Sequence, residues 1–130
     1  MSVELTYLGH SGCLINHENT SVVIDPFLTS NPISVHDPSD IQSGFVVLTH
    51  GHFDHIEDAE EIAKNNKAKI FAPYELDEYF SEKNIETEGG NPGGTIKTEF
   101  GSVTFTKAFH SSSFNGKYLG EACGIVLQIG

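Results

Sequence analysis

Residues 3–8 mix apolar Val3, Leu5 and Leu8 with polar Glu4 and Thr6 in the manner of a strand, and Gly9-His10-Ser11-Gly12 breaks the run. A second short apolar run over 13–15 follows, so the pattern predicts strand, turn, strand. Polar residues 17–20 form the next turn, and Ser21-Val22-Val23-Ile24 is a third strand that stops at Asp25-Pro26. Proline lacks the amide a ladder needs, which places Asp25 at a strand's C-terminal end. Residues 27–42, interrupted by Pro32 and Pro38, read as a long irregular connection, the kind of segment that often carries function.

The apolar residues 45–48 predict a strand that runs straight into a cluster of histidines and aspartate. Residues 56–65 then read as a helix with Ile56, Ala59 and Ala63 on one face, and acidic Glu57, Asp58, Glu60 and Glu61 suit its first turns. Residues 69–72 predict a short buried strand and 73–83 a second amphipathic helix with Pro73 near its start. The glycine-rich stretch 88–95 lacks the strand-to-helix setting of a phosphate cradle and reads as a flexible turn. A hairpin of 95–100 with 102–109 around Gly101 and a final buried strand over 124–129 complete the chain. This order predicts a mixed α/β (α+β) layer in a single domain, 1–130, with helices covering one face of a largely β core.

Composition narrows the partners. The formal net charge is −11, from 18 acidic against 7 basic residues, and every basic residue is a lysine. Such a surface repels phosphate backbones and anionic lipid, so neither nucleic acid nor a membrane is an expected partner. A local metal pocket would still accept an anionic small molecule, because the ion's charge dominates at close range. Cys13 and Cys123 lie in apolar surroundings without a pairing motif, as buried thiols in a reducing compartment do. With no basic-plus-apolar leader and no run of membrane-spanning length, a cytoplasmic location is expected.

The candidate chemistry is concentrated in Thr49-His50-Gly51-His52-Phe53-Asp54-His55, directly after an apolar strand. Imidazole and carboxylate are the usual ligands of zinc, manganese and iron. His50 and His52, two residues apart on an extended segment, point to the same side and suit one ion. Asp54 and His55, expected in the turn before the helix, suit a second ion nearby. His110 follows the strand ending near Phe109, at another strand end, and is the candidate third nitrogen ligand. Asp25 reads as a cap or turn former, and His10 either touches substrate or is a turn residue without a role.

The string from Thr49 to His55 resembles the signature of the metallo-β-lactamase superfamily. Gly9-His10-Ser11, Ile24-Asp25-Pro26-Phe27 and Ala108-Phe109-His110-Ser111-Ser112-Ser113 are similar to segments of its small metal-dependent hydrolases, whose relatives include a bacterial ascorbate-6-phosphate lactonase. The resemblance implies an αββα sandwich of two similar halves, of which this chain looks like the N-terminal one. It implies that His50, His52 and His110 hold a first metal and that Asp54 and His55 belong to a second. It also makes Asp25 a partner that fixes a histidine tautomer. The family's bridging aspartate and further histidine have no counterpart here: no histidine follows His110 and no aspartate follows Asp77. One ion is therefore expected to bind well and a second poorly.

The implied activity is a metal-dependent hydrolase with up to two divalent ions in a binuclear site, Zn²⁺ first and Mn²⁺ or Fe²⁺ as alternatives. These would activate water against an ester, lactone or phosphoester small molecule, with Asp54 orienting the nucleophile or taking its proton. A complementary C-terminal half or a second chain is the expected partner, and self-association is left open. The competing expectation is a noncatalytic metal-binding or interaction module, or one chain of a split hydrolase.

Overall fold

A computed structural model describes residues 2–130. Strands β1 (Val3–Gly9), β2 (Gly12–His17) and β3 (Thr20–Ile24) form an antiparallel meander, and β4 (Phe45–Val47), β5 (Lys69–Pro73) and β6 (Thr87–Gly90) extend it in parallel. The result is a six-stranded sheet in the order β1-β2-β3-β4-β5-β6. Helices α1 (Phe53–Ile56), α2 (Ala59–Asn66) and α3 (Tyr74–Ser81) lie in the crossovers of its parallel part. The chain continues through β7 (Thr95–Thr98), β8 (Gly101–Lys107), a two-stranded ribbon of β9 (Ser113–Phe114) and β10 (Lys117–Tyr118), and β11 (Cys123–Ile129). Strands β11-β8-β7 make a three-stranded antiparallel sheet.

The layers follow from side-chain alternation. Val23, Val46 and Ile70, paired across β3, β4 and β5, face the helices and pack with Ile62, Leu76 and Phe80. Their neighbours Val22, Val47 and Phe71 face the second sheet and pack with Phe100, Val103 and Phe105. Strand β4 is covered on both faces, which is why its sequence is a continuous apolar run. Each such fully buried side chain contributes about 1.5–3 kcal/mol. Helices on one side and a sheet on the other make the mixed α/β layering that the sequence predicts.

Several expectations need correction. The helix expected over 56–65 is two pieces, because Asp58 breaks it: its backbone leaves helical geometry, and its carboxylate accepts from Leu28 N–H at 2.6 Å and Thr29 N–H at 3.0 Å. Asp54 and His55 accordingly lie inside α1 rather than in a turn before the helix. Of the stretch that reads as a flexible glycine turn, only 91–94 form a turn, and residues 88–90 belong to β6. Glycine serves close packing there, since a Cβ on Gly89 would sit 2.7 Å from Asp77 Oδ2 and one on Gly90 2.6 Å from the Phe105 ring. The final strand is not interior: β11 is an edge, with Val126 exposed and Ile125, Leu127 and Ile129 only partly covered.

Candidate metal centre

Parallel strands deliver their C-terminal ends to one edge, and β3 and β4 bring Asp25 and the His50 segment there together. The segment is tied across to the second sheet: Cys123 N–H donates to Thr49 O at 2.9 Å, and Gly51 N–H to Ser112 Oγ at 2.9 Å. Gly51 has no room for a side chain, since a Cβ would lie 2.6 Å from Leu119 Cδ1. This docking holds His50 and His52 against the loop that carries His110. Their ring centroids are 4.7 Å (His50–His52), 4.7 Å (His50–His110) and 5.1 Å (His52–His110) apart. One ligand atom from each lies within 4.8 Å of the other two. A second group joins His10, Asp54 and His55, and a third joins Asp25, His50 and His55, within the same distance.

Asp25 organises the centre. It is 2% exposed, and its carboxylate accepts from Thr49 N–H at 2.9 Å, from the Thr49 hydroxyl at 2.5 Å and from His55 Nδ1–H at 2.8 Å. A hydroxyl has one proton to give, and a carboxylate only accepts. Thr49 therefore donates to Asp25, and its oxygen accepts from His50 Nδ1–H, 2.8 Å away. Both His50 and His55 are thereby protonated on Nδ1 and present bare Nε2 lone pairs, the form in which imidazole binds a metal.

The electrostatics agree with a neutral ring for His50 and make His55 the more readily protonated of the two. Burial, followed by the neighbouring His55, pushes the His50 pKa down to about 4, so His50 is neutral at pH 7. Burial works the same way on His55, but the Asp25 hydrogen bond and charge, with Asp54, outweigh it and raise its pKa. For Asp54, burial raises and the His10 hydrogen bond lowers; with the charge of His55 the net is a lowered pKa, so the carboxylate is ionised. His50 Nε2 is buried, and among the described side chains it has no hydrogen-bond partner. An unsatisfied buried polar atom costs about 1–3 kcal/mol. A divalent cation among the His50, His52 and His110 nitrogens supplies the missing partner, so the residues present fit a metal.

All seven site candidates gather at this edge. His10, which the sequence offers either as a substrate contact or as a turn residue without a role, has its Nε2 2.8 Å from Asp54 Oδ2. Sequence reasoning missed Thr49 as the link between Asp25 and His50, and no pattern singles out a threonine for that. It also missed Ser111, whose Oγ is 3.2 Å from His52 Nε2, and Asp58, which pins the loop carrying Phe27 against the His10 ring.

The sequence profile of the metallo-beta-lactamase superfamily matches residues 6–112, the stretch that carries all seven site candidates. The chain belongs to the metallo-beta-lactamase superfamily. Among its relatives, a UPF0173 metal-dependent hydrolase of Exiguobacterium sp. is 44% identical over 130 residues, covering 97% of this chain and 58% of its own length. One from Thermoplasma acidophilum is 41% identical, covering 99% of this chain and 57% of its own length. The solved structure of Igni18, a metallo hydrolase from Ignicoccus hospitalis, superposes with a TM-score of 0.85 at 32% identity, over 98% of this chain and 56% of Igni18. This superfamily chain thus spans somewhat over half the length of the relatives it matches. Among the described residues, no helix is long and apolar enough to cross a membrane.

Proposed function

We propose that this chain is the metal-holding part of a hydrolase acting on an ester, lactone or phosphoester small molecule. The observation that carries the reading is the buried, unpartnered His50 Nε2 set among the ligand atoms of His52 and His110. That the relatives are named metal-dependent hydrolases supports the reaction class. When bound, a divalent cation supplies Lewis acidity and makes water a nucleophile near neutral pH. Imidazole-rich ligation favours Zn²⁺, with Mn²⁺ and Fe²⁺ as alternatives and room for up to two ions.

The side chains divide the remaining work. His50, His52 and His110 hold the cation, while Asp25 fixes His55 directly and His50 through Thr49. Asp54, ionised and partly exposed, is the acceptor placed to orient an attacking water or take its proton. A complementary C-terminal segment or second chain is part of the proposal. Its support is the length of the relatives and the outer end of the six-stranded sheet. There Val3, Leu5 and Tyr7, which by register share the face that packs on the second sheet, remain 61%, 63% and 61% exposed. The acidic surface favours a small-molecule substrate over nucleic acid, and the free cysteines suit the cytoplasm, with burial pushing the Cys123 thiol up to about 11.

The test is a metal-depleted preparation reloaded with Zn²⁺, Mn²⁺ or Fe²⁺ and assayed against an activated ester, a lactone and a phosphodiester. His52→Ala is expected to lose bound metal and turnover together. Full hydrolysis by that variant overturns the reading. Metal binding without turnover, even with a complementary half added, favours the noncatalytic module instead.

A further inference from the structure

We propose that His10 is itself a ligand of a second divalent cation, completing with Asp54 and His55 a three-donor site held wholly by this chain. The inference builds on the reading that the neighbouring His50 cluster holds a cation, and it replaces the expectation that this chain offers the second ion only two ligands.

Three observations converge on His10. The first is proximity: one ligand atom each from His10, Asp54 and His55 lies within 4.8 Å of the others, and His10 Nε2 is 2.8 Å from Asp54 Oδ2. Because His55 is anchored through Nδ1 to Asp25, the nitrogen it offers this group is Nε2, which bears a lone pair. Two imidazole nitrogens and a carboxylate form a donor set that binds zinc, manganese or iron.

The second is backbone geometry. His10 sits in the β1–β2 turn with φ of +55°, in the left-handed region where glycine or asparagine is the easier residue. Local strain of this sort persists where surrounding contacts enforce it and clusters at functional sites. Here Tyr7 Oη–H donates to His10 O at 2.9 Å, and the imidazole stands edge-on to Phe27 with centroids 5.5 Å apart. Phe27 leads the loop that the Asp58 carboxylate grips through Leu28 and Thr29, so His10 is held at its backbone by Tyr7 and at its ring by Phe27.

The third is energetic. The side chains of His10 and Asp54 are 42% and 43% exposed, and an ion pair so open to water adds little to stability. Structural need alone does not account for a strained backbone that delivers an imidazole to a solvated carboxylate. A cation exchanged for the shared proton does, because it engages both groups and His55 at once.

The experiment is a zinc titration of the metal-free 130-residue chain carrying ¹⁵N-labelled histidine, followed through the imidazole nitrogens, with His10→Gln assigning the His10 signals. The first equivalent is expected to move His50, His52 and His110. The second is expected to move His55 and to strip the proton from His10 Nε2 as that nitrogen coordinates. If His10 Nε2 keeps its proton at saturation, His10 is no ligand and the proposal fails, while the His50 cluster reading stands. If no imidazole responds to zinc, the cluster reading fails as well. A calorimetric titration adds a second readout: glutamine reproduces a donor near the Nε2 position but is a poor zinc ligand, so His10→Gln is expected to weaken the second binding step at least tenfold and leave the first unchanged. An unchanged second step would make His10 a mere hydrogen-bond donor to Asp54 and overturn the assignment.

Discussion

The His50, His52 and His110 group and the His10, Asp54 and His55 group are neighbours at one sheet edge, with His50 and His55 ring centroids only 4.1 Å apart, yet they are built differently. The first gathers nitrogens from two sheets around a buried atom, His50 Nε2, that has no partner. The second consists of more open groups, two of which satisfy each other, His10 Nε2 and Asp54 Oδ2 at 2.8 Å. A buried ligand atom left without a partner carries the cost of its lost hydrogen bond until the ion binds. An exposed set can rest self-paired and exchange that pairing for a cation, at some loss of affinity. The two groups share one organiser, Asp25, which fixes His55 directly and His50 through Thr49.

Altering the buried group should have the largest effect. His50→Ala removes the buried nitrogen that has no partner among the described side chains, and zinc affinity is expected to fall more than about a hundredfold, beyond the roughly 10–100-fold typical of an outer partner. Next comes the organiser. Asp25→Asn puts an amide where a carboxylate accepts three hydrogen bonds, so His55 loses its enforced tautomer. Calorimetry should show roughly 10–100-fold weaker binding of the second ion, with a smaller loss at the first, where Thr49 intervenes. Equal losses at both sites would erase the distinction between direct and relayed support.

Acidity separates the groups next. A proton competes for a histidine lone pair below that histidine's pKa, so the raised His55 begins to resist metal at a pH where His50, pushed down to about 4, does not. Lowering the pH from about 7.5 toward 5.5, below the ordinary histidine value near 6.5, should therefore release the second ion before the first, read by metal content after gel filtration. Release in the opposite order would contradict the assigned tautomers. The smallest effect is expected from Gly51→Ala, whose Cβ would press on Leu119 at 2.6 and 2.8 Å. Overpacking of this kind costs about 1–3 kcal/mol, and thermal melting should fall by several degrees with the second ion's affinity little changed.

Most of the layer order was legible because apolar runs, prolines and strand-end motifs are local signals. The His50 to His55 string announced its chemistry for the same reason. What was not legible depends on contacts across the fold. Gly89 and Gly90 look like a loop until Asp77 and Phe105 crowd them, and Asp58 looks like a first-turn acid until residues 28 and 29 claim it. Thr49 is an ordinary residue beside a histidine until Asp25 arrives from another strand. His10 is separated from Asp54 by 44 positions, and only the packing of the β1–β2 turn over α1 brings them together.

The central claim, that imidazoles from separate stretches of backbone converge on one cation, is tested most directly by zinc K-edge X-ray absorption on the chain loaded with one equivalent of Zn²⁺. The account predicts a nitrogen-dominated shell at about 2.0–2.1 Å with the outer-carbon scattering of three imidazoles. A shell of oxygen atoms without imidazole scattering would contradict it.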